Sequence, residues 1–310
     1  MNDRPQRADL TVPIGAVERD TGLSKDTLRV WERRYGFPTP ARDAFGERAY
    51  SLAQIDKLRV VKRLLDQGHR PGRIMALDIE RLQELANAAP GGAVRHALAS
   101  AEDDASLDHF MALVKAQRVG ELRRTLSQAL LRMGLGRFVT DVVAPMNERV
   151  GDAWARGVFQ VFEEHLYTES MQVVLRNAIS TVPEEGARPR VLLTTLPLEA
   201  HGLGLLMVEA LLVLEGAHAV SLGVQTPTWD IVQAAQKQDV DIVALSFSPT
   251  QGPNAVLDGL NELRRKLPAT VELWAGGTNA VLQRRPPDDV RVLASLADIA
   301  PAVARWRDAR

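Results

Sequence analysis

Apolar positions along the chain change their period from one region to the next. From Val12 they recur at helical spacing: Ile14, Val17 and Leu23 line a short helix that Gly22 closes, and Ser24 is placed to cap a second helix over Lys25–Tyr35. On that second helix Leu28 and Trp31 share one face, and Lys25, Asp26, Arg29, Arg33 and Arg34 populate the others. Two short helices joined this way predict a helix-turn-helix, with Trp31 in the core. A longer helix over Leu52–Gln67, ended by Gly68, and a further turn at Pro71–Met75 complete a first domain, residues 1–75, its first ten residues polar.

The pattern then lapses. Ala88-Ala89-Pro90-Gly91-Gly92-Ala93 cannot sustain a coiled coil, so residues 76–104 read as a hinge with short helical pieces. Self-association has to come mainly from the C-terminal half. Helical spacing returns over 105–183 in four stretches, Leu107–Ala116, Val119–Met133, Leu135–Arg156 and Val158–Ser180, the third interrupted by Pro145. That is the length and spacing of a four-helix bundle.

After a polar linker at Pro183–Gly186, strands are expected at Arg190–Thr195, His218–Leu222, Ile242–Phe247 and Val271–Ala275, with an edge strand at Val290–Leu293. Helices at Leu203–Glu215, Thr228–Gln238 and Ala255–Lys266 alternate with them. The last domain, 188–310, is therefore expected to be a doubly wound α/β sheet, Rossmann-like and of flavodoxin type. The fold class is multidomain: an all-α winged helix-turn-helix, a four-helix bundle and an α/β domain.

Composition narrows the chemistry. The 310 residues, 45% of them hydrophobic, suffice for two or three cores. No run approaches the roughly 18 apolar residues of a membrane span, and Asp3, Arg4, Gln6, Arg7 and Asp9 leave no apolar signal region, so a cytoplasmic protein without a membrane partner is expected. Without cysteine, any metal must rest on His, Asp or Glu. The net charge of −1 is uneven: residues 1–75 hold 15 Lys or Arg against 10 Asp or Glu, net +5, leaving −6 for the rest. A basic module on an acidic body predicts a polyanion at the N-terminal end.

The candidate chemistry centres on Glu199-Ala200-His201-Gly202-Leu203-Gly204, where the first strand of the α/β domain gives way to a helix. Ligands bind at such turns. Neutral imidazole suits a borderline transition metal, and a carboxylate two residues earlier can reach its other nitrogen and fix the tautomer. Gly202 and Gly204 admit a close ligand. Taken alone, His201 reads more readily as an ordinary polar loop residue than as a ligand. From Gly204, 41 residues lead to Ser246, in Ser246-Phe247-Ser248, and 27 more separate Ser248 from Gly276-Gly277. This resembles the cobalamin-binding signature Asp-x-His-x-x-Gly, Ser-x-Leu, Gly-Gly at that family's usual intervals. The resemblance implies His201 as the lower cobalt ligand, Glu199 as its hydrogen-bond partner, and Ser246, Ser248, Gly276 and Gly277 along the nucleotide tail. Two positions depart from it: Glu199 stands for Asp, with a longer reach, and Ser248 for Leu, which is expected to alter a tail contact and leave ligation alone.

Leu28-Arg29-Val30-Trp31-Glu32-Arg33-Arg34-Tyr35-Gly36-Phe37-Pro38, then Arg42 and Gly46–Ser51, resembles the recognition helix and wing of MerR-family regulators. It implies Lys25, Thr27, Arg29, Arg33, Arg34, Arg42, Arg48 and Tyr50 as DNA contacts, with the helix in a major groove; Tyr50 reads as a core residue just as well. Trp154, nine residues, then Glu164-His165 is similar to a motif of CarH/LitR-type light-responsive repressors, which join a MerR module to a bundle and a cobalamin fold in this order. In them the tryptophan and the Glu-His pair surround the adenosyl group of adenosylcobalamin. The residue after that tryptophan is often histidine, a replacement upper ligand in the lit state; here it is Ala155, which leaves that position to His165 or water.

The expected function is a light-responsive, cobalamin-dependent transcriptional regulator and not an enzyme: a repressor that binds promoter DNA in the dark as an adenosylcobalamin-loaded homo-oligomer. Two alternatives stand beside it. One is a MerR-type regulator whose cobalamin fold serves a regulatory protein partner or another tetrapyrrole. The other is a corrinoid methyl carrier, which the DNA-binding module and the lack of a substrate domain argue against.

Overall fold

The computed structural model of the protein describes residues 11–43, 45–66, 69–87, 101–183 and 188–310. They form two compact units: the N-terminal domain together with Gly151–Gln160, and Ala101–Val150 with Val161–Arg310.

The N-terminal domain runs β1 (Thr11–Pro13), α1 (Ile14–Thr21), α2 (Lys25–Tyr35), β2 (Ala41–Arg42), β3 (Arg48–Ser51), α3 (Leu52–Asp66), α4 (Pro71–Ile74) and α5 (Ile79–Asn87). Gly22, at φ 69°, ends α1 by returning its N–H to the Glu18 carbonyl, and the Ser24 side chain accepts the Thr27 N–H to start α2. The strands pair antiparallel in the order β1-β3-β2, so the domain expected to be all-α carries a small sheet under its wing. Its core holds Val17, Leu28, Trp31, Tyr50, Leu58, Val61, Leu64 and Leu82. Leu82 belongs to α5, which packs on α3. The expected boundary at residue 75 is therefore too early: the segment read as hinge supplies the domain's last helix. Residues 88–100 of that hinge lie outside the described residues.

The bundle comprises α6 (Ala101–Lys115), α7 (Val119–Met133), the single turn α8 (Leu135–Arg137), π-helical turns over Phe138–Val143, α9 (Ala144–Ala155) and α10 (Val161–Ile179). Pro145 does not break the third element. The wider turns end just before it and α9 restarts at Ala144, which puts the proline where a missing N–H costs little.

The α/β domain follows as β4 (Arg190–Thr194), α11 (Leu203–Leu214), β5 (His218–Gly223), α12 (Thr228–Lys237), β6 (Ile242–Phe247), α13 (Pro253–Lys266), β7 (Glu272–Gly277), α14 (Val281–Arg284), β8 (Arg291–Leu293) and α15 (Ile299–Asp308). The sheet is parallel throughout, in the order β5-β4-β6-β7-β8, the flavodoxin-like arrangement expected. Its strands alternate between two cores. Leu192, Val243, Leu245 and Leu273 face one, with α12 and α13; Val191, Leu193, Ile242 and Trp274 face the other, with α11 and α15. Helix α15 was not expected. Ser295 and Asp298 form a capping box ahead of it, and Ile299, Ala302, Val303 and Trp306 make its buried stripe. The bundle helix α10 packs on α11, directly after the Glu199–Gly204 loop.

Candidate functional site

Strand β4 and strand β6 lie side by side, and their carboxyl ends bring the loops after each within hydrogen-bonding reach. Glu199, buried and charged, is held by four donors. Its Oε1 accepts from His201 Nδ1 at 2.6 Å and from the His201 backbone N–H at 3.1 Å. Its Oε2 accepts from the Ser248 N–H at 2.8 Å and from Ser248 Oγ at 2.7 Å. Burial pushes the carboxyl upward, but the bonds from His201 and Ser248 outweigh it and leave Glu199 below the usual carboxylate range. The bond to Glu199 in turn raises His201, against burial, and the nearby charge of Glu164 adds to the rise. With Nδ1 donating to Glu199, Nε2 carries the lone pair, on a side chain that is 59% exposed.

Ser248 is thus misread from sequence. Placed along the tail by resemblance and expected to leave ligation alone, it binds directly the carboxylate that orients His201. Ser248 Oγ also lies 2.7 Å from Thr250 Oγ1. Buried Asn279, after β7, donates to the carbonyls of Ser248 and Gln251, tying the loop after β6 to the one after β7. On the other side, Thr195 Oγ1 donates to the Glu199 carbonyl and accepts the Gln225 N–H.

The glycines allow close packing of the elements beside this network. A Cβ on Gly204 would sit 2.6 Å from Ser246 Oγ, so any side chain there would have to displace that hydroxyl. Gly277, at φ 110°, would place a Cβ 2.2 Å from the Phe247 carbonyl oxygen. Gly276 pairs in register with Ser246, and Gly202 lies against Val224. The structure therefore gathers Glu199, His201, Gly202, Gly204, Ser246, Ser248, Gly276 and Gly277 at one sheet edge. Among the described residues no cluster of three His, Asp or Glu could hold a bare ion. A single fixed, exposed imidazole at a sheet edge with closely packed glycines fits a metal that arrives with its own set of ligands, as a corrin's cobalt does.

On α10, Glu164 bonds His165 Nδ1 at 2.6 Å and Thr168 Oγ1 at 2.6 Å. Trp154 belongs to the other compact unit, where the Arg59 guanidinium lies 5.6 Å from its ring centroid. Arg59 also binds both carboxylate oxygens of Asp20 and reaches Asp56. Ala155 is buried.

Of the expected DNA contacts, Lys25, Arg29, Arg33, Arg34 and Arg42 are exposed, with Thr27 half-buried at the cap of α2. Tyr50 is not available: it is fully buried in the domain core. Arg48 is drawn into an ion pair with Glu32 at 2.7 Å, bracing the wing against α2. Sequence reasoning passed over Phe45, which is 91% exposed between β2 and β3.

Three family matches cover most of the described chain: a MerR HTH family regulatory protein over residues 12–77, and B12 binding domains over 108–178 and 189–303. Among curated relatives, the HTH-type transcriptional repressor CarH of Myxococcus xanthus is 29% identical across 88% of this chain and 91% of its own length. The repressor CarA of the same organism is 27% identical across 87% and 88%. Among solved structures, the Methanosarcina barkeri monomethylamine corrinoid protein superposes with a TM-score of 0.51 at 18% identity, covering 66% of this chain and 99% of that one, a likeness of fold.

Proposed function

We propose, from the premise that this chain joins a MerR-family DNA-binding domain to two B12-binding domains, that it is a cobalamin-dependent, light-responsive transcriptional repressor. The observation that carries the reading is the outward, Glu199-fixed His201 at the edge of a parallel sheet, on a chain that begins with an exposed basic recognition helix. His201 is assigned as the lower ligand, with Glu199 holding its tautomer and Ser246, Gly276 and Gly277 lining the tail. Trp154, Glu164 and His165 are assigned to the upper face by their motif, and adenosylcobalamin is the expected form. Bound, that cofactor supplies a cobalt–carbon bond that light breaks. The chain's own part is to prefer the dark form and to couple that preference to a homo-oligomer able to bind DNA. Ala155 has no lone pair and could not ligate a metal; with the cofactor bound, His165 or water would have to serve in its place.

No helix among the described residues is long and apolar enough to cross a membrane, and a promoter-binding role places the protein in the cytoplasm. The similarity to CarH and CarA, both repressors, supports the sign of regulation. Purified protein loaded with adenosylcobalamin in darkness is expected to bind operator DNA and to release it after green light, with His201→Ala abolishing both the loading and the response. Equal DNA binding in the two conditions sinks the light-responsive reading and leaves a regulator that senses a corrinoid or a protein partner.

A further inference from the structure

Leu198 is out of place by two independent measures. Leu196, Pro197, Leu198 and Glu199 make a turn closed by the Glu199 N–H on the Leu196 carbonyl at 3.2 Å, with proline second and a left-handed residue third. This is the type II pattern, whose third position ordinarily takes glycine or asparagine. Leu198 occupies it at φ 71°, and its side chain is 87% exposed, so no packing within the domain explains the choice. The turn is pinned rather than loose: Gln251 Nε2 donates to the Pro197 carbonyl at 3.1 Å.

The facing loop repeats the feature. Gln225 is left-handed at φ 61°, and Val224, half-exposed, lies so close that a Cβ on Gly202 would be 3.2 Å from its Cγ1. Two apolar side chains are thus presented to solvent near His201 in the chain or its loop contacts: Leu198, three residues before it on a strained, hydrogen-bonded turn, and Val224, against the next residue, Gly202, and beside left-handed Gln225. Strain and apolar exposure are both unfavourable for the protein alone, and a flat apolar body set on the two loops removes the second.

We propose that Leu198 and Val224 form an apolar seat for the underside of the corrin ring, Leu198 being held in a left-handed turn to reach it. The inference rests on the cobalamin-binding reading above. What favours a corrin over a second copy of the chain is position: Leu198 and Val224 lie on the loops that carry and contact the ligand segment Glu199–Gly202.

The test uses the full chain with Leu198→Gly and Leu198→Asn, two residues that accept the turn. Without cobalamin, both variants are expected to melt at or above the wild-type midpoint. In absorption titrations with hydroxocobalamin, both are expected to bind roughly tenfold or more weakly. Variants that keep wild-type affinity, or that both melt lower, overturn the seat. So does a change of oligomeric state with affinity intact, which assigns the patch to a protein contact. A wild-type chain that takes up no cobalamin overturns the underlying reading itself, a result distinct from wild-type binding with unaffected variants.

Discussion

Glu199 can remain charged while buried because residue 248 supplies two of its four hydrogen bonds. Ser248→Ala removes one donor from a buried carboxylate and should lower the stability of the cofactor-free protein by about 1–2 kcal/mol, read by denaturant titration. Tyr50 presents the opposite case. Its hydroxyl is buried without a hydrogen-bond partner among the described residues, so Tyr50→Phe should leave stability unchanged or raise it by up to about 1 kcal/mol. The same variant should bind DNA as the wild type does in a mobility-shift titration, as befits a core residue. These residues also mark what a sequence discloses. His201 and Glu199 stood out because their chemistry is local and their spacing to Ser246 and Gly276 is regular. The role of Ser248 depends on how two loops 49 residues apart meet, which no spacing records.

Periodicity located most elements but not their ends or their allegiance. The helices around Leu28 and Leu58 and the core strands were legible because burial imposes a repeat. Helix α5 was legible only as a short helical piece of a hinge, since its apolar positions sit beside the Pro-Gly run and only packing against α3 assigns it to the first domain. Helix α15 had both a capping box and a stripe to announce it and was passed over after the last strand. Its attachment can be tested through Glu272 of β7, which accepts from Trp274 Nε1 at 2.8 Å and from Arg305 Nη2 of α15 at 2.7 Å. Burial pushes this carboxyl up, but those bonds, with the charges of Arg305 and Arg291, hold it below its ordinary value. A carboxyl lower in the folded state contributes stability above its unfolded pKa, and the contribution is lost as pH falls through the folded one. Glu272→Gln should therefore melt below wild type near neutrality, and the gap should close below about pH 4.

At the scale of the whole molecule, charge and cofactor chemistry are segregated: a basic helix at one end of the sequence, an acidic remainder holding the candidate site. If Arg29 or Arg33 meets a phosphate, changing it to Gln should weaken DNA binding alike on specific and random sequences. It should also reduce the slope of log affinity against log salt by about one unit. Asn279 fastens the loop after β7 to the loop after β6, and Ser248 on that loop fastens Glu199, so the loop after β7 and the imidazole are joined by one continuous chain of hydrogen bonds. On the proposed reading the site then works as a bivalent grip, each half presenting the other at high effective concentration. A corrinoid trimmed of its nucleotide tail should forfeit more affinity than the tail contacts alone supply, and Asn279→Ala, 78 positions from the histidine, should narrow that difference.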